Sequence, residues 1–435
     1  MGLHLTGNNI PSNLYKIRQI ENSSEAIREL QQQKLKSLLE HASETVPYYN
    51  ALLKENDVVS DGGIKLDNFE KLPLLTKEDI RSADGDLHSS APGPNPYSNT
   101  SGGTTGEPVE FLQDDRYWQW NVANKIYYHS LAGKGLGEPE IKLWGSERDI
   151  QKGSRSLKTR IRNFLYNRQA LNSFKMSEED MEQYIREINQ HQPKSIWAYV
   201  ESMHQLSQYA KKNNLKVYSP AGIVTTAGTL HEPVRETIED VFDTKVHNQY
   251  GSREVGDIAC ECPHQEGLHI FTHSNYVEIV DEDGNPVPSG EEGYVAVTNL
   301  TNYTMPLIRY KIGDMAVGSD ESCSCGRGFP LLKKVTGRES DHFVTPTGEL
   351  IHGEYFTHLF YNKDWVRKFQ VHQISRESLV IKIVKREPED GADLEAIKSE
   401  IRNVMGEEVE IEVEFKEEIS PSSSGKFRYI VSEVL

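Results

Sequence analysis

Apolar residues recur three and four positions apart through "SEAIRELQQQKLKSLLEHA", which predicts helix within 24–55, with Ser23 or Ser24 placed to cap its start. "ETVPYYNALL" opens a second helix after its proline. "NFEKLPLLTKEDIR" (68–81) reads as a loop followed by a helix capped at Thr76. Residues 90–108, rich in Gly, Pro, Asn and Ser, read as a loop, and 116–132 return to helical spacing. Short apolar runs then alternate with helical ones. "IKLWGS", "SIWAY" and "AGIVTTAG" read as strands; "SEEDMEQYIREINQH", "ESMHQLSQYAKKNN" and "PVRETIEDVF" read as helices. This alternation predicts a parallel α/β architecture.

After residue 268 the period falls to two. "YVEIVDEDGNPVP" and "GYVAVTNL" alternate around an Asp-Gly turn, as antiparallel hairpins do. Near the C-terminus, "SLVIKIVK", the helical "LEAIKSEIRNVMG" and "VEIEVEF" form a strand–helix–strand set, and "GRESDHF" (337–343) marks the boundary before it. The expected fold is therefore α/β. A large multi-subdomain N-terminal domain (1–336) carries parallel α/β sheets and a β-hairpin region, and a small α+β domain (337–435) follows. A chain of 435 residues exceeds the roughly 100–200 residues of one ordinary core.

Charge and composition narrow the function. No apolar run approaches the ~20 residues of a membrane span, and "MGLHLTGNNIPSN" lacks the basic-then-apolar order of a secretory signal. That segment fits the loose M-G-x-x-x-[ST] acylation pattern, at a level chance supplies. A net charge of −18 opposes nucleic acid and anionic membranes, "KTRIRNFLYNR" (158–168) being a local basic exception. The cysteines fall in two pairs, Cys260/Cys262 and Cys323/Cys325. They are too few for a disulfide framework and fit reduced thiols in the cytoplasm.

Four stretches carry candidate chemistry. In "SNTSGGTTGEP" (98–108), Gly102, Gly103 and Gly106 permit close backbone approach, and Ser101, Thr104 and Thr105 add hydroxyls. With a helical pattern shortly after, the stretch suits a polyphosphate. It is not a Walker A loop, because Glu107 and Pro108 follow Gly106 where Lys and Ser/Thr belong. The alternative is a flexible surface loop. In "HNQYGSREVG" (247–256), Tyr250 could stack a base and Glu254 could ligate Mg2+, against a turn with a solvated Glu. In "MPLIRYKIGDMA" (305–316), Asp314 could accept two hydrogen bonds from vicinal hydroxyls; the alternative is an Arg309–Asp314 surface pair. In "SPSSSGKFRYIV" (420–431), Lys426 offers a movable charge, or is an exposed lysine of a frayed tail.

The order and spacing of these stretches resemble the adenylate-forming superfamily of acyl-CoA synthetases, nonribosomal adenylation domains and luciferases. The phenylacetate–coenzyme A ligase branch, and the CapK-like proteins associated with capsular polysaccharide genes, are most similar. "VPYYN", "LPLLTKEDIR", "TSGGTTGEP", "YGSREVG", "MPLIRYKIGD", "CSCGRGFP", "GRESD" and "SSSGKFR" carry the likeness over residues 46–428. The resemblance implies that Ser101, Gly102, Thr104, Thr105 and Gly106 cradle the ATP β- and γ-phosphates. It implies that Tyr250, with Gly251 and Ser252, meets the adenine side of the nucleotide, and that Glu254 binds Mg2+. Asp314 would hold the ribose, Arg338 would contact the nucleotide near the domain junction, and Lys426 would bridge carboxylate and α-phosphate.

Two departures stand out. Arg253 occupies the place of the superfamily's usual Thr, either beside the α-phosphate or turned away. The hinge reads Glu339-Ser340-Asp341, which makes Asp341 the pivot. Trp144, Arg148, Tyr199 and Gly228 are candidates for the acid pocket wall or the adenine edge, or are ordinary packing.

Members of the branch with the Cys-x-Cys-Gly-Arg stretch resemble zinc carriers, and four soft ligands suit tetrahedral Zn2+. The expected set is Cys262, His269, Cys323 and Cys325, with Cys260 or His264 as rivals for one place; the alternative is four reduced buried thiols. The implied activity is ATP- and Mg2+-dependent adenylation of a carboxylic acid, then transfer to coenzyme A. Transfer to a sugar amine or hydroxyl, or to a carrier thiol, is the second reading. A non-catalytic scaffold of a polysaccharide-assembly complex is the third.

Overall fold

Local chemistry sets the helix boundaries. The structure is a computed structural model that describes residues 9–60, 62–101, 109–144, 167–173, 176–338, 342–348, 350–361, 363, 365–386, 391–420 and 427–434. Ser23 caps helix Ser24–Thr45 by accepting from the Ala26 N–H at 3.2 Å. Pro47 opens helix Pro47–Glu55 in the first turn, where its missing N–H costs nothing. Thr76 and Asp79 form a reciprocal capping box on Lys77–Ser82. A further helix over Ile10–Ile20, outside the expected elements, buries Ile10, Asn13 and Ile17. None of the described helices is long and apolar enough to cross a membrane.

An eleven-stranded sheet organises the larger part of the chain. Along its parallel half the order is Arg168–Asn172, Glu140–Trp144, Ser195–Tyr199, Gly222–Thr226, Val246–Ser252. In chain sequence that is the doubly wound order 2-1-3-4-5, with its switch point between Glu140–Trp144 and Ser195–Tyr199. Val246–Ser252 then pairs antiparallel with Gly256–Glu261, which pairs antiparallel with Leu268–Ile270. Farther along, Asn275–Val280 and Glu292–Asn299 form the antiparallel pair expected around the Asp-Gly turn. The expected α/β class, with parallel sheet, hairpin region and small C-terminal domain, is borne out.

By contacts the chain divides into residues 1–312 with 316–335, and 313–315 with 336–435. The second unit holds a four-stranded sheet in the order Glu410–Phe415, Ser378–Lys385, Val366–Ser375, Ile430–Ser432. Helix Gly391–Met405 connects the parallel pair Ser378–Lys385 and Glu410–Phe415. Its core gathers Phe343, Phe356, Phe369, Ile381 and Ile401.

Two expectations are corrected. Residues 90–108 are not loop throughout: Tyr97–Thr100 is a strand paired antiparallel with Glu110–Gln113, while the helix expected over 116–132 spans Asp115–Leu131. The stem residues are mostly polar, so their pairing leaves no alternation to read. Arg309 is likewise not a surface partner of Asp314. It is 1% exposed and sits at φ 50°, a left-handed conformation. Its Nε lies 3.1 Å from Glu278 Oε1 and its Nη2 lies 3.0 Å from the same oxygen. The guanidinium also donates to the carbonyls of Glu70 at 2.7 Å, Gly284 at 2.6 Å, and Leu72. In the backbone, Leu75 N–H donates to Arg309 C=O at 3.0 Å and Lys311 N–H to Leu75 C=O at 2.9 Å, so "LPLLT" docks along "MPLIRYK". One buried cation thus ties four segments together.

Arg309→Ala should therefore cost about 3–5 kcal/mol, because it strands the Glu278 carboxylate and three carbonyls without water. Urea unfolding should show a lowered midpoint, with Glu278→Gln less damaging than Arg309→Ala. Equal midpoints for wild type and Arg309→Ala would contradict this.

Candidate functional site

The Gly/Thr-rich loop is clamped at its neck. Ser101 is buried; its Oγ accepts from Val109 N–H at 2.8 Å and its own N–H donates to Val109 C=O at 2.9 Å. Gly102, Thr104, Thr105 and Gly106 lie outside the described residues, as do Arg148, Lys426 and the hinge residue Asp341. At the other end of the stem, Gln113 is 1% exposed and turns toward the loop after Val246–Ser252.

That loop, Arg253-Glu254-Val255, has its successive carbonyls tied by side chains. Gln113 Nε2 donates to Arg253 C=O at 2.8 Å and to Glu254 C=O at 3.3 Å. Tyr117 Oη donates to Arg253 C=O at 3.3 Å, and Asn299 Nδ2 to Val255 C=O at 2.9 Å. Glycine is required on both sides. A Cβ at Gly251 would lie 2.5 Å from the Gly256 carbonyl, and one at Gly256, φ +78°, would lie 2.2 Å from Asn121 Oδ1. Arg253 is exposed, with its side chain turned to solvent. Tyr250 is buried opposite Ala259, and the side chain of Ser252 accepts from Val255 N–H at 3.3 Å.

Burial and pairing single out Glu254. Seven carboxylates are buried among the described residues: Asp114, Glu140, Glu254, Asp257, Glu261, Glu278 and Asp314. Glu140 pairs with Lys134 and Arg168, Asp257 with Lys125, Glu261 with Arg235, Glu278 with Arg309 and Asp314 with Arg338. Asp114 caps helix Asp115–Leu131 by accepting from Tyr117 N–H, and accepts also from Thr304 Oγ1 at 3.0 Å. Glu254 alone has neither cation nor hydrogen-bond donor on its carboxylate among the described residues. Its oxygens keep some solvent access, so the carboxylate stands open to a cation.

The parallel strands end on one side of the sheet, at Trp144, Tyr199, Thr226 and Ser252. Ligands of open parallel sheets bind outside these ends, at the switch point. There the rings of Trp144 and Tyr199 lie 4.1 Å apart, with Trp197 4.8 Å from Trp144. Gly228 follows Ala227, which has φ 64°, and a Cβ at Gly228 would meet Val200 Cβ at 3.3 Å. Separately, Arg338 Nε lies 3.4 Å from Asp314 Oδ1, so two expected nucleotide residues meet.

A second site forms where strand Gly256–Glu261 ends. Ligand atoms of Cys262, His269, Cys323 and Cys325 all lie within 4.8 Å of one another. Cys262 Sγ is 3.6 Å from Cys323 Sγ, and Cys325 Sγ is 3.4 Å from His269 Nε2. Tetrahedral zinc with Zn–S of about 2.3 Å and Zn–N of about 2.0–2.1 Å needs edges of about 3.8 and 3.5 Å, so the donors fit. Burial lowers the His269 pKa to about 4, leaving a neutral imidazole able to ligate. Burial also raises Cys325, but hydrogen bonds from the Arg327 backbone and guanidinium outweigh it and favour the thiolate. Cys260 is buried and does not join this group of ligand atoms. His264 Nδ1 faces Ser324 Oγ at 2.8 Å. The Cys323–Cys325 loop is steadied by Glu266, which accepts from Ser324 N–H and Oγ at 2.7 Å each.

Sequence reasoning misses Gln113, Tyr117, Lys125, Asp257 and Asn299. Asp114 has a signal, since an acidic residue before a helical run is a cap. The others have none, because each is a lone polar residue whose partner lies far along the chain.

Comparison with known proteins fits this geometry. Residues 343–433 match the CapK C-terminal domain family. The chain is 24% identical to protein CapK of Staphylococcus aureus, over 93% of this chain and 89% of that protein. It is 30% identical to the phenylacetate-coenzyme A ligase of Escherichia coli K12, over 76% of this chain and 75% of that protein. The crystal structure of 2-hydroxyisobutyryl-CoA ligase in the postadenylation state aligns with a TM-score of 0.72, over 96% of this chain and 92% of the other at 16% identity, and shares the fold.

Gln113→Ala removes the donor shared by the Arg253 and Glu254 carbonyls. It should destabilise the protein by about 1–3 kcal/mol without changing the denaturant slope. An unchanged midpoint would show that the tie contributes nothing.

Proposed function

The chain belongs to the phenylacetate–coenzyme A ligase family, and from that premise we propose that it is an ATP-dependent adenylate-forming ligase. It activates a carboxylic acid as acyl-AMP and passes the acyl group to coenzyme A. The observation that supports this reading best is Glu254, a largely buried residue whose carboxylate keeps solvent access and has no partner among the described residues, on a loop whose carbonyls are all tied.

In this reading each group has a task. Ser101 and the loop 102–106 hold the β- and γ-phosphates, Tyr250 with Gly251 and Ser252 lines the adenine, and Asp314 takes the ribose hydroxyls with Arg338 beside it. Glu254 would hold Mg2+, which offsets charge on the phosphates. The acid enters at the switch point beside Trp144, Tyr199 and Gly228. Its oxygen attacks the α-phosphorus, pyrophosphate leaves, and Lys426 meets the charge that develops there. The thiol sulfur of coenzyme A then attacks the acyl carbonyl and AMP leaves. Lys426 serves the first step only, since no phosphoryl charge develops in the second; a pivot at Asp341 would carry it in and out.

We assign the Cys262, His269, Cys323 and Cys325 cluster to a structural Zn2+, joining the end of a strand to the loop before Leu331–Arg338. Its three thiols fit a reducing, cytoplasmic setting. A second reading changes the acyl acceptor to a sugar amine or hydroxyl or a carrier thiol. It is favoured by the CapK-type C-terminal match over 343–433.

Pyrophosphate release with Mg-ATP over a panel of carboxylates should depend on the acid and fall at least about 100-fold in Lys426→Ala. The same variant should still transfer the acyl group from pre-formed acyl-AMP to coenzyme A. Pyrophosphate release without coenzyme A consumption would turn the argument to the second acceptor, and no acid-dependent release at all would overturn adenylation. Protein purified without chelator should carry about one equivalent of zinc, lost in Cys323→Ser together with thermal stability. Less than about half an equivalent would rule out the zinc assignment.

A further inference from the structure

Among the described residues, the members of the Cys/His cluster are unequally buried. Cys262 and His269 are fully buried and Cys323 nearly so, whereas Cys325 is half-buried. Cys325 lies in the wall of a cavity of about 330 Å³. The cavity belongs wholly to the larger unit and contains none of the residues assigned to the nucleotide. It is large enough for a small molecule of a few donor groups.

The charges around the cavity are unevenly matched. Arg327 is already engaged: its Nε lies 3.3 Å from Glu21 Oε2 and 3.2 Å from Tyr127 Oη, and Tyr127 Oη donates to the same Glu21 oxygen at 2.8 Å. Arg327 also bonds the Cys325 sulfur. Arg18 faces the same cavity, and its described partner is a neutral one, Ser130 Oγ at 3.4 Å. His264 completes the rim beside Cys325. On a chain of net charge −18, the cavity therefore pairs a spare guanidinium with the only accessible thiol of a ligand cluster.

We propose that this cavity receives a small anionic chelating molecule, with thiolate or carboxylate donors, and that the cluster exchanges its metal by giving up Cys325 to it. The proposal rests on the zinc assignment above. Arg18 holds the anionic end of the incoming molecule. The bond from the metal to Cys325 Sγ breaks as a bond to the incoming donor forms. Cys325 leaves as a thiolate held by Arg327, or takes one proton from water, and nothing is oxidised or reduced. Cys262, His269 and Cys323 are more deeply buried and give up the metal after Cys325, as further donors of the incoming molecule replace them one by one.

The test uses the full chain loaded with zinc. Release is followed with two capture agents, anionic nitrilotriacetate and neutral 1,10-phenanthroline, in wild type and in Arg18→Ala and Arg18→Glu. Nitrilotriacetate-driven release should slow by about fivefold in Arg18→Ala and about tenfold or more in Arg18→Glu, while the phenanthroline rate stays put. In parallel, peptide mass spectrometry after brief iodoacetamide treatment should find Cys325 alkylated before Cys262 and Cys323. Equal slowing with both agents, or no slowing, overturns the docking role of Arg18. First labelling at Cys262 or Cys323 overturns exit through Cys325. Less than half an equivalent of zinc overturns the zinc assignment and this proposal together, whereas zinc bound normally but released by another route overturns this proposal alone. Arg18 is exposed, so an unchanged melting temperature should certify that its variants are folded.

Discussion

Strand Val246–Ser252 is hydrogen-bonded in parallel to one neighbour and antiparallel to the other, and both candidate sites follow from that change. A parallel partner demands a long crossover, so each earlier strand returns to start at the same edge and they all end together. An antiparallel partner needs only a tight loop. The chain therefore turns at Arg253–Val255 on the side where the parallel strands end, and Glu254 is delivered there by topology. The return strand Gly256–Glu261 then runs to the opposite end of the sheet and finishes at the cluster. At a rise of about 3.3 Å per residue, Cys262 lies on the order of 20–25 Å from Glu254. That distance keeps the two candidate sites apart, at opposite ends of the hairpin.

Much of this is legible in the amino-acid sequence, and the rest is hidden for definite physical reasons. Parallel and antiparallel regions are readable because a period of two differs from runs of short apolar strands between amphipathic helices. The choice between Cys260 and Cys262 is not, because residues two apart on a strand face the same side. Position along the strand decides it: Cys260 is paired across from His269 within the sheet, and Cys262 falls just past the last strand residue. Arg309 reads as surface because an arginine next to a Tyr and a Lys has nothing local to mark it as buried. Its partners Glu278, Glu70, Leu72 and Gly284 stand between 25 and 239 residues away. Gln113 shows the same limit, reaching Arg253 across 140 residues.

Pairing of buried charge gives the structure its specificity. Lys125, Lys134, Arg168, Arg235, Arg309 and Arg338 are each committed to a carboxylate inside the protein. Each such pair gains little over an apolar alternative, yet breaking one is expensive, so the set fixes one arrangement more than it adds stability. Glu254 departs from that rule. Its carboxylate, open to solvent and unpaired among the described residues, is held at a fixed point by a backbone whose carbonyls accept from Gln113, Tyr117 and Asn299.

The overall charge of −18 makes the placement of such groups consequential. ATP, a carboxylate and coenzyme A are all anions, and the long-range field of the chain repels each of them. Attraction has to come from short-range groups instead. Backbone N–H groups and a few uncommitted cations act within a Debye length of about 8 Å, where the distant negative charges are screened. Commitment of most buried cations to structural pairs therefore sharpens selectivity. An anion that cannot reach the right donors meets only repulsion.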